Sequence, residues 1–371
     1  MGGTLIERLP LSAASKTVWI FGAGASHAQP YCLPLQGDML SHFMTRGRSG
    51  NDGAKANLKK IRGSVKKLIV AALPGANYKT VVLEDLFSAY ELQASHLRST
   101  PDEVTEAGLA IRTLSEALFI SVQEMGRGDA AKWLPHQRNE TASPYAELLE
   151  LLFPQGARDD QMQKHVLVTM NYDINIDRCA LNMVAPVAGK IDLDYGFELA
   201  DYRFSAGFRR PGNRAILLLR LHGSVNWLRC LACQAVFTTV TNQATIKERK
   251  DCPCCESHSL DRILVHPSYL RSYEDPILQL TWGRFQEELV SADRWIFVGY
   301  SLPDADIHLR DSLRHAMRTR GRRPTSVVWV GCRNPNWKAE RRRYKMMFGD
   351  KLVSWNATAG GFAEFLRCLD P

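Results

Sequence analysis

No run of roughly 18 consecutive apolar residues occurs in the 371-residue chain, so no membrane-spanning helix is expected. The N-terminus, "MGGTLIERLPLSAASK", lacks the basic segment and apolar core of a secretory signal. It begins Met-Gly, but Ile6 stands where a myristoylation site needs Ser or Thr. A cytoplasmic protein with no membrane contact is the expectation. Internal repeats and low-complexity tracts are also missing. The formal charge of +8 is concentrated late, in "RTRGRRP" (318–324) and "KAERRRYK" (338–345). No aromatic interleaving or nucleic-acid motif accompanies these runs. They read as a solvated face, with a polyanion or acidic protein as the alternative. Nucleic acid would be met only through a partner or through these segments. One further lack concerns "GAGAS" (22–26), which follows the apolar run "TVWIF" (17–21). A dinucleotide fingerprint needs G-x-G-x-x-G and an acid about 20 residues on. Gly22 and Gly24 are present, but the third position is His27 and Asp38 comes too early.

What is present is an ordinary folded chain, 45% hydrophobic and 23% charged, long enough for one large domain or two modest ones. Nine cysteines without an export signal argue against a disulfide framework. Cys230 and Cys233 form one C-x-x-C, and Cys252 and Cys255 form another, with Cys254 inside the second. This is zinc-ribbon spacing, and four thiolates close a tetrahedron with no position for a reacting water. Free buried thiols are the other reading, and Cys254 could replace Cys255 as ligand.

Six apolar runs read as buried parallel strands: "TVWIF" (17–21), "HVLVTM" (165–170), "AILLLRLHG" (215–223), "RWIFVG" (294–299), "SVVWVG" (326–331) and "KLVSW" (351–355). Helical patterns follow most of them, which implies a parallel sheet covered on both faces. The expected fold is α/β, a Rossmann-like six-stranded parallel sheet in one domain over 1–371. It carries a helical insertion at 34–153, with helices near 34–46, 55–72, 82–96, 102–126 and 142–153. A zinc-ribbon module occupies 227–262. Ligands should bind beyond the carboxyl ends of the strands.

Three of those ends carry polar residues: "GAGAS", "TMNYDINIDR" (169–178) and "LHGSVNWLRC" (221–230). With the two C-x-x-C pairs and "VGYSL" (298–302), these motifs resemble, in order, those of the sirtuin superfamily. The resemblance frames residues 17–356 and implies NAD. Carried over by motif position, it puts Gly22, Ala23, Gly24 and Ser26 at the pyrophosphate and Asn171 and Asp173 beside the nicotinamide ribose. His222 becomes the catalytic histidine. Gly299 and Ser301 fall near the adenosine end, with Asn334 of "GCRNPN" a looser candidate. The chemistry is compatible: a histidine accepts a proton near neutral pH, and an asparagine amide holds a water or ribose hydroxyl without adding charge. Glycosidic cleavage of this kind passes through an oxocarbenium-like state. Read alone, His222 could be a core histidine, and Asn171 and Asp173 could cap the next helix. Asp177 and Arg178 read as a helix-surface pair, and His266 as structural.

The chain departs from protein-deacylating sirtuins after the zinc module, where no V-x-F-G-E strand occurs. "RILVHPSYLRSYEDP" (262–276) stands there instead. "HPSY" and "GYSLPDAD" resemble the sirtuin-like NAD hydrolases of bacterial anti-phage defence. That resemblance implies an NAD hydrolase releasing nicotinamide and ADP-ribose, with His222 as base and Asn171 and Asp173 beside it. Control would come through assembly, as a homo-oligomer or with a HerA-type ATPase or short Argonaute partner. The alternatives are an NAD-dependent protein deacylase and a non-catalytic NAD-sensing or scaffold subunit.

Overall fold

The six apolar runs all become strands, and where their side chains are described they are largely buried on both faces, as at Thr17–Phe21 and His165–Thr169, which a sheet covered by helices satisfies. In this computed structural model the residues described are 8–11, 16–27, 33–45, 52–96, 99–125, 143–154, 157–184, 192–200, 208–209, 214–238, 251–252, 254–319, 324, 326–331, 334, 336–349, 352–356 and 361–370. Most of "RTRGRRP", the loop 46–51 and residues 126–142 lie outside them. In chain order the strands are β1 (Leu9–Pro10), β2 (Thr17–Phe21), β3 (His165–Thr169), β4 (Asp192–Asp194), β5 (Leu199–Ala200), β6 (Phe208–Arg209), β7 (Ala215–Arg220), β8 (Gly223–Cys230), β9 (Val236–Thr238), β10 (Leu260–Leu264), β11 (Arg294–Val298), β12 (Ser326–Gly331), β13 (Leu352–Asn356) and β14 (Leu369–Asp370).

The main sheet runs β13-β12-β11-β2-β3-β7-β4, every pair parallel. Six of its strands are those expected, and β4 adds a seventh at the edge. From β2 the chain winds outward through β3 and β7, then returns to the other side of β2 for β11, β12 and β13. The order therefore reverses between β2 and β11, and a crevice opens at such a point. The register brings the strand ends level: Phe21 lies opposite both Thr169 and Val298, and Thr169 opposite Arg220. One face is packed by Val18, Ile20, Trp295, Phe297 and Trp329 against Phe285, Leu313 and Tyr344. On the other, Phe21 meets the edge of Tyr145, which in turn meets Phe362. A second sheet, β10-β8-β9-β5-β6, carries the cysteine module, with β8 leading into it straight from the end of β7.

The chain divides into two compact units. The first comprises Met1–Pro30, Pro135–Leu264 and Glu274–Pro371 and holds these two sheets together with the small parallel pair β1-β14. The second comprises Tyr31–Leu134 with Val265–Tyr273. Its helices are Met39–Thr45, Asp52–Ala72, Leu83–Ser95 and Pro101–Met125, the last opened by reciprocal Thr100 and Glu103 capping bonds. The expected insertion ran to 153, yet helix Pro144–Leu152 packs within the first unit, on helices Asn175–Val184 and Gly361–Leu366. The "HPSY" stretch is fastened inside the second unit. His266 Nδ1 meets Glu91 Oε1 at 3.1 Å, its Nε2 meets Ser115 Oγ at 3.0 Å, and its ring stacks on Phe87. Among the described residues no helix is long and apolar enough to cross a membrane.

Candidate active site and metal centre

The first loop is held by close backbone contact. Gly22 N–H donates to Val298 O at 3.0 Å and Gly24 N–H to Gly299 O at 2.8 Å. A Cβ on Gly24 would stand 2.8 Å from Gly299 O, and one on Gly299, at φ +59°, 2.1 Å from Ala25 N. Glycine is therefore needed on both sides of the reversal point, to let the β2 and β11 turns touch. Gly22, Ala23, Gly24 and Ser26 lie together at this turn, with Ser26 1% exposed.

The loop after β3 reaches across to it. Asn171 Nδ2 donates to Gly22 O at 3.0 Å and to Ser26 Oγ at 3.1 Å. Because a carbonyl oxygen only accepts, the first bond fixes which end of the amide is nitrogen. Both amide protons are thus engaged. Ser26 Oγ also lies 3.1 Å from the hydroxyl of Tyr145. Asp173 accepts from Asn175 N at 3.0 Å, at the start of the following helix. Burial raises the Asp173 pKa, opposed by the Asn175 N–H, Arg220 and the Ser26 hydroxyl. Burial, then the Asp173 charge, holds Tyr145 well above the usual phenol range.

Asp177 is not on the surface, which corrects the expected Asp177–Arg178 surface pair. Its carboxylate is 1% exposed, ion-paired with the fully buried Arg220 and hydrogen-bonded by Tyr195 OH at 2.8 Å. Burial raises both the Asp177 and Tyr195 pKa values. Arg220 donates through Nη2 to Asn171 O at 3.0 Å and Asp173 O at 2.6 Å, and through Nε to Gly223 O at 3.3 Å. One guanidinium from the end of β7 therefore sets the backbone of both the Asn171 and His222 loops.

His222 is 4% exposed, and its Nδ1 lies 3.1 Å from Met170 O. That carbonyl only accepts, so Nδ1 carries the proton and Nε2 is the basic nitrogen of the neutral ring. The ring stacks on Tyr172 with centroids 6.0 Å apart, and Trp282 Nε1 donates to Leu221 O at 3.0 Å from the neighbouring helix. Gly223 has φ +72°, and a Cβ there would lie 2.1 Å from Ile263 O. The glycine of "LHGS" is required because β10 crosses against it.

Ser301 and Asn334 lie past the ends of β11 and β12. Ser301 offers its backbone carbonyl to Arg343 Nε at 2.9 Å. Asn334 accepts from Asn336 N at 2.8 Å and donates to Glu340 at 3.2 Å. Among the described residues, no hydrogen bond joins either to Asn171 or His222. Tyr145, Arg220 and Trp282 are the site residues that sequence reasoning missed. Only Arg220 left a trace, as a charge at the end of a strand otherwise apolar.

Cys230, Cys233, Cys252 and Cys255 converge, with all four sulfurs within 4.8 Å of one another. Cys230 and Cys255 are 3.5 Å apart and Cys233 and Cys252 3.6 Å. A tetrahedral zinc with Zn–S near 2.3 Å needs sulfurs roughly 3.8 Å apart, so the donor set fits. The two knuckles match: Gln234 and Glu256, each just after the second cysteine, both have positive φ and donate to Cys230 O and Cys252 O. That correspondence brings in Cys255 and leaves Cys254 out of the cluster. Cys230 is seven residues along β8 from Gly223, or roughly 23 Å, too far to touch the His222 loop.

A search of curated proteins finds no match. Among solved structures, one described as the structural basis for the mechanism and regulation of Sir2 enzymes is 16% identical, covering 95% of this chain and 91% of that one, with a TM-score of 0.40. A Sir2–p53 peptide–NAD+ structure is 15% identical over 95% and 90%, with a TM-score of 0.40. A family model described as "SIR2-like domain" matches residues 165–351. Just over half of the sequence is thereby accounted for, and the chain belongs to the SIR2-like domain family.

Proposed function

We propose that this protein is an NAD hydrolase, cleaving NAD with water to nicotinamide, ADP-ribose and a proton. A SIR2-like domain is an NAD-using one, and the reading is carried by one juxtaposition. His222 and Asn171 stand at adjacent strand ends, tied through Met170 O. Nε2 of His222 accepts a proton. Oδ1 of Asn171 accepts a hydrogen bond from a water or ribose hydroxyl and so orients it. Asp173, buried beside them, adds negative charge near the ribose where positive charge develops. Gly22, Ala23 and Gly24 would line the pyrophosphate, and Gly299, Ser301 and Asn334 the adenosine side. Zinc, held by Cys230, Cys233, Cys252 and Cys255, stiffens the fold and takes no part in the chemistry. The absent F-G-E strand supports hydrolysis over deacylation. Control by assembly, as a homo-oligomer or with a separately encoded partner in defence, completes the reading.

The test is nicotinamide release from NAD with no acylated peptide present. His222→Ala and Asn171→Ala should each lower the rate by about 10²-fold or more while the protein still folds, the usual scale for losing a general base or its orienting partner. NAD consumption that requires an acetylated peptide would replace this reading by the deacylase one.

A further inference from the structure

Arg220 ends β7, a strand otherwise apolar, and its side chain is fully buried. A buried ion pair is a weak source of stability, since apolar residues of similar volume often serve as well. What an apolar pair cannot do is hold main-chain carbonyls. The guanidinium is a flat fork of N–H donors. Nη2 has two protons and meets two carbonyls, Asn171 O at 3.0 Å and Asp173 O at 2.6 Å. Tyr172 O, between them, accepts from Val225 N at 3.3 Å. Nε reaches Gly223 O at 3.3 Å, next to His222. Three consecutive carbonyls of the Asn171 loop are thus held from the end of β7 and the start of β8. The Tyr172 ring, carried between them, stacks on His222.

Nη1 pairs with Asp177 Oδ2, and Asp177 Oδ1 accepts from Tyr195 OH at 2.8 Å. Tyr195 in turn meets the edge of Trp227 in β8. The carboxylate therefore has a fixed place, where it cancels the guanidinium charge. An unpaired cation behind this loop would oppose the positive charge that glycosidic cleavage develops on the ribose. We propose that Arg220 is a positioning residue for NAD cleavage: it clamps the main chain of Asn171 and Asp173 to the His222 turn, and Asp177 neutralises it there. The kinetic consequence rests on the hydrolase reading. Neither residue is assigned a bond to substrate.

Arg220→Lys keeps a cation for Asp177 but replaces the fork by a point charge that cannot span the carbonyls. Assayed for nicotinamide release well below its melting temperature, it should lower kcat by about 10- to 100-fold, the scale of a misplaced reacting group, with KM for NAD within about two-fold. Arg220→Met combined with Asp177→Leu removes both charges. That pair should regain the melting temperature that Arg220→Met alone loses, with kcat still low. A pair that restores kcat along with stability would make the ion pair purely structural and overturn the proposal. Wild-type kcat in Arg220→Lys, or a change confined to KM, would do the same. Amide hydrogen exchange supplies a readout that needs no activity. In Arg220→Lys, peptides covering 170–176 and 221–226 should exchange faster while those of β11 keep their protection. Exchange unchanged at both loops refutes the clamp, and the apolar pair carries the same measurement if the lysine variant fails to fold. Wild-type protein that leaves NAD intact would remove the hydrolase reading, and the exchange comparison would still decide the clamp.

Discussion

His165 sits at the start of β3, 7% exposed, and Trp19 donates its indole N–H to Nδ1 at 3.4 Å. A nitrogen that accepts carries no proton, so the ring is neutral. Burial, then the charges of Arg294 and Lys164, lower its pKa from 6.5 to about 4. In the unfolded chain it would titrate at its ordinary value. Between those two values the unfolded state binds a proton that the native state does not, so stability is full above about pH 6.5 and falls as pH drops toward 4. The interval is worth about 3 kcal/mol. Urea unfolding at pH 7 and pH 4.5 should show His165→Asn, which keeps an acceptor for Trp19, losing less than the wild type by a large part of that amount. Equal losses in both proteins would show that His165 is not the group responsible. At this same scale the site was only partly legible. Asn171, Asp173 and His222 stood out because polar residues ended apolar strands. Tyr145 and Asp177 did not, since each lies on a helix whose pattern permits either face. Asp177 was read as exposed because its partner, Arg220, is 43 residues away in sequence. A lone acid on a helix is ordinarily solvated; only a buried guanidinium makes this one internal.

The elements carry a different lesson. Parallel strands announce themselves as apolar runs, so six of the seven in the main sheet were evident. The seventh, β4, reads Asp-Leu-Asp and is half-buried at the sheet edge, with no run to mark it. The extent of the second unit was illegible for another reason. Residues 265–273 join it through Glu91, Ser88 and Ser115, contacts that no local pattern encodes. The cysteine module was legible in spacing but not in choice of ligand, which the turn geometry now supplies. About one zinc per chain is the expected content by metal analysis. Cys254→Ser should keep it, whereas Cys255→Ser and Cys230→Ser should lose it and lower the melting temperature. Because β10 pairs with β8 from Cys230 back to Gly223, loss of metal should loosen the strand that begins at the His222 loop. Activity would then fall without any ligand touching substrate. Zinc retained in Cys255→Ser but lost in Cys254→Ser would reverse the assignment.

For the molecule as a whole, charge and assembly pull in opposite directions. A net charge of +8 makes copies of the chain repel one another, and part of it lies on helix Trp337–Phe348, where Lys338, Arg342 and Lys345 are exposed. Repulsion between exposed charges fades beyond about 10 Å at 0.1 M ionic strength and is stronger in dilute buffer. If the protein works as a homo-oligomer held by apolar and hydrogen-bonded contact, association should strengthen from low salt to about 0.15 M. Light scattering would then report particles of two or more 41.7 kDa chains at micromolar concentration. Nicotinamide release per chain should rise over the same range of salt and concentration, because assembly is the proposed control. Association that instead weakens with salt would mean the contact is made by complementary charges, and the basic helix would become part of it. A particle that stays at one chain throughout, with turnover per chain constant, would end the case for self-assembly and leave a separate partner as the means of control.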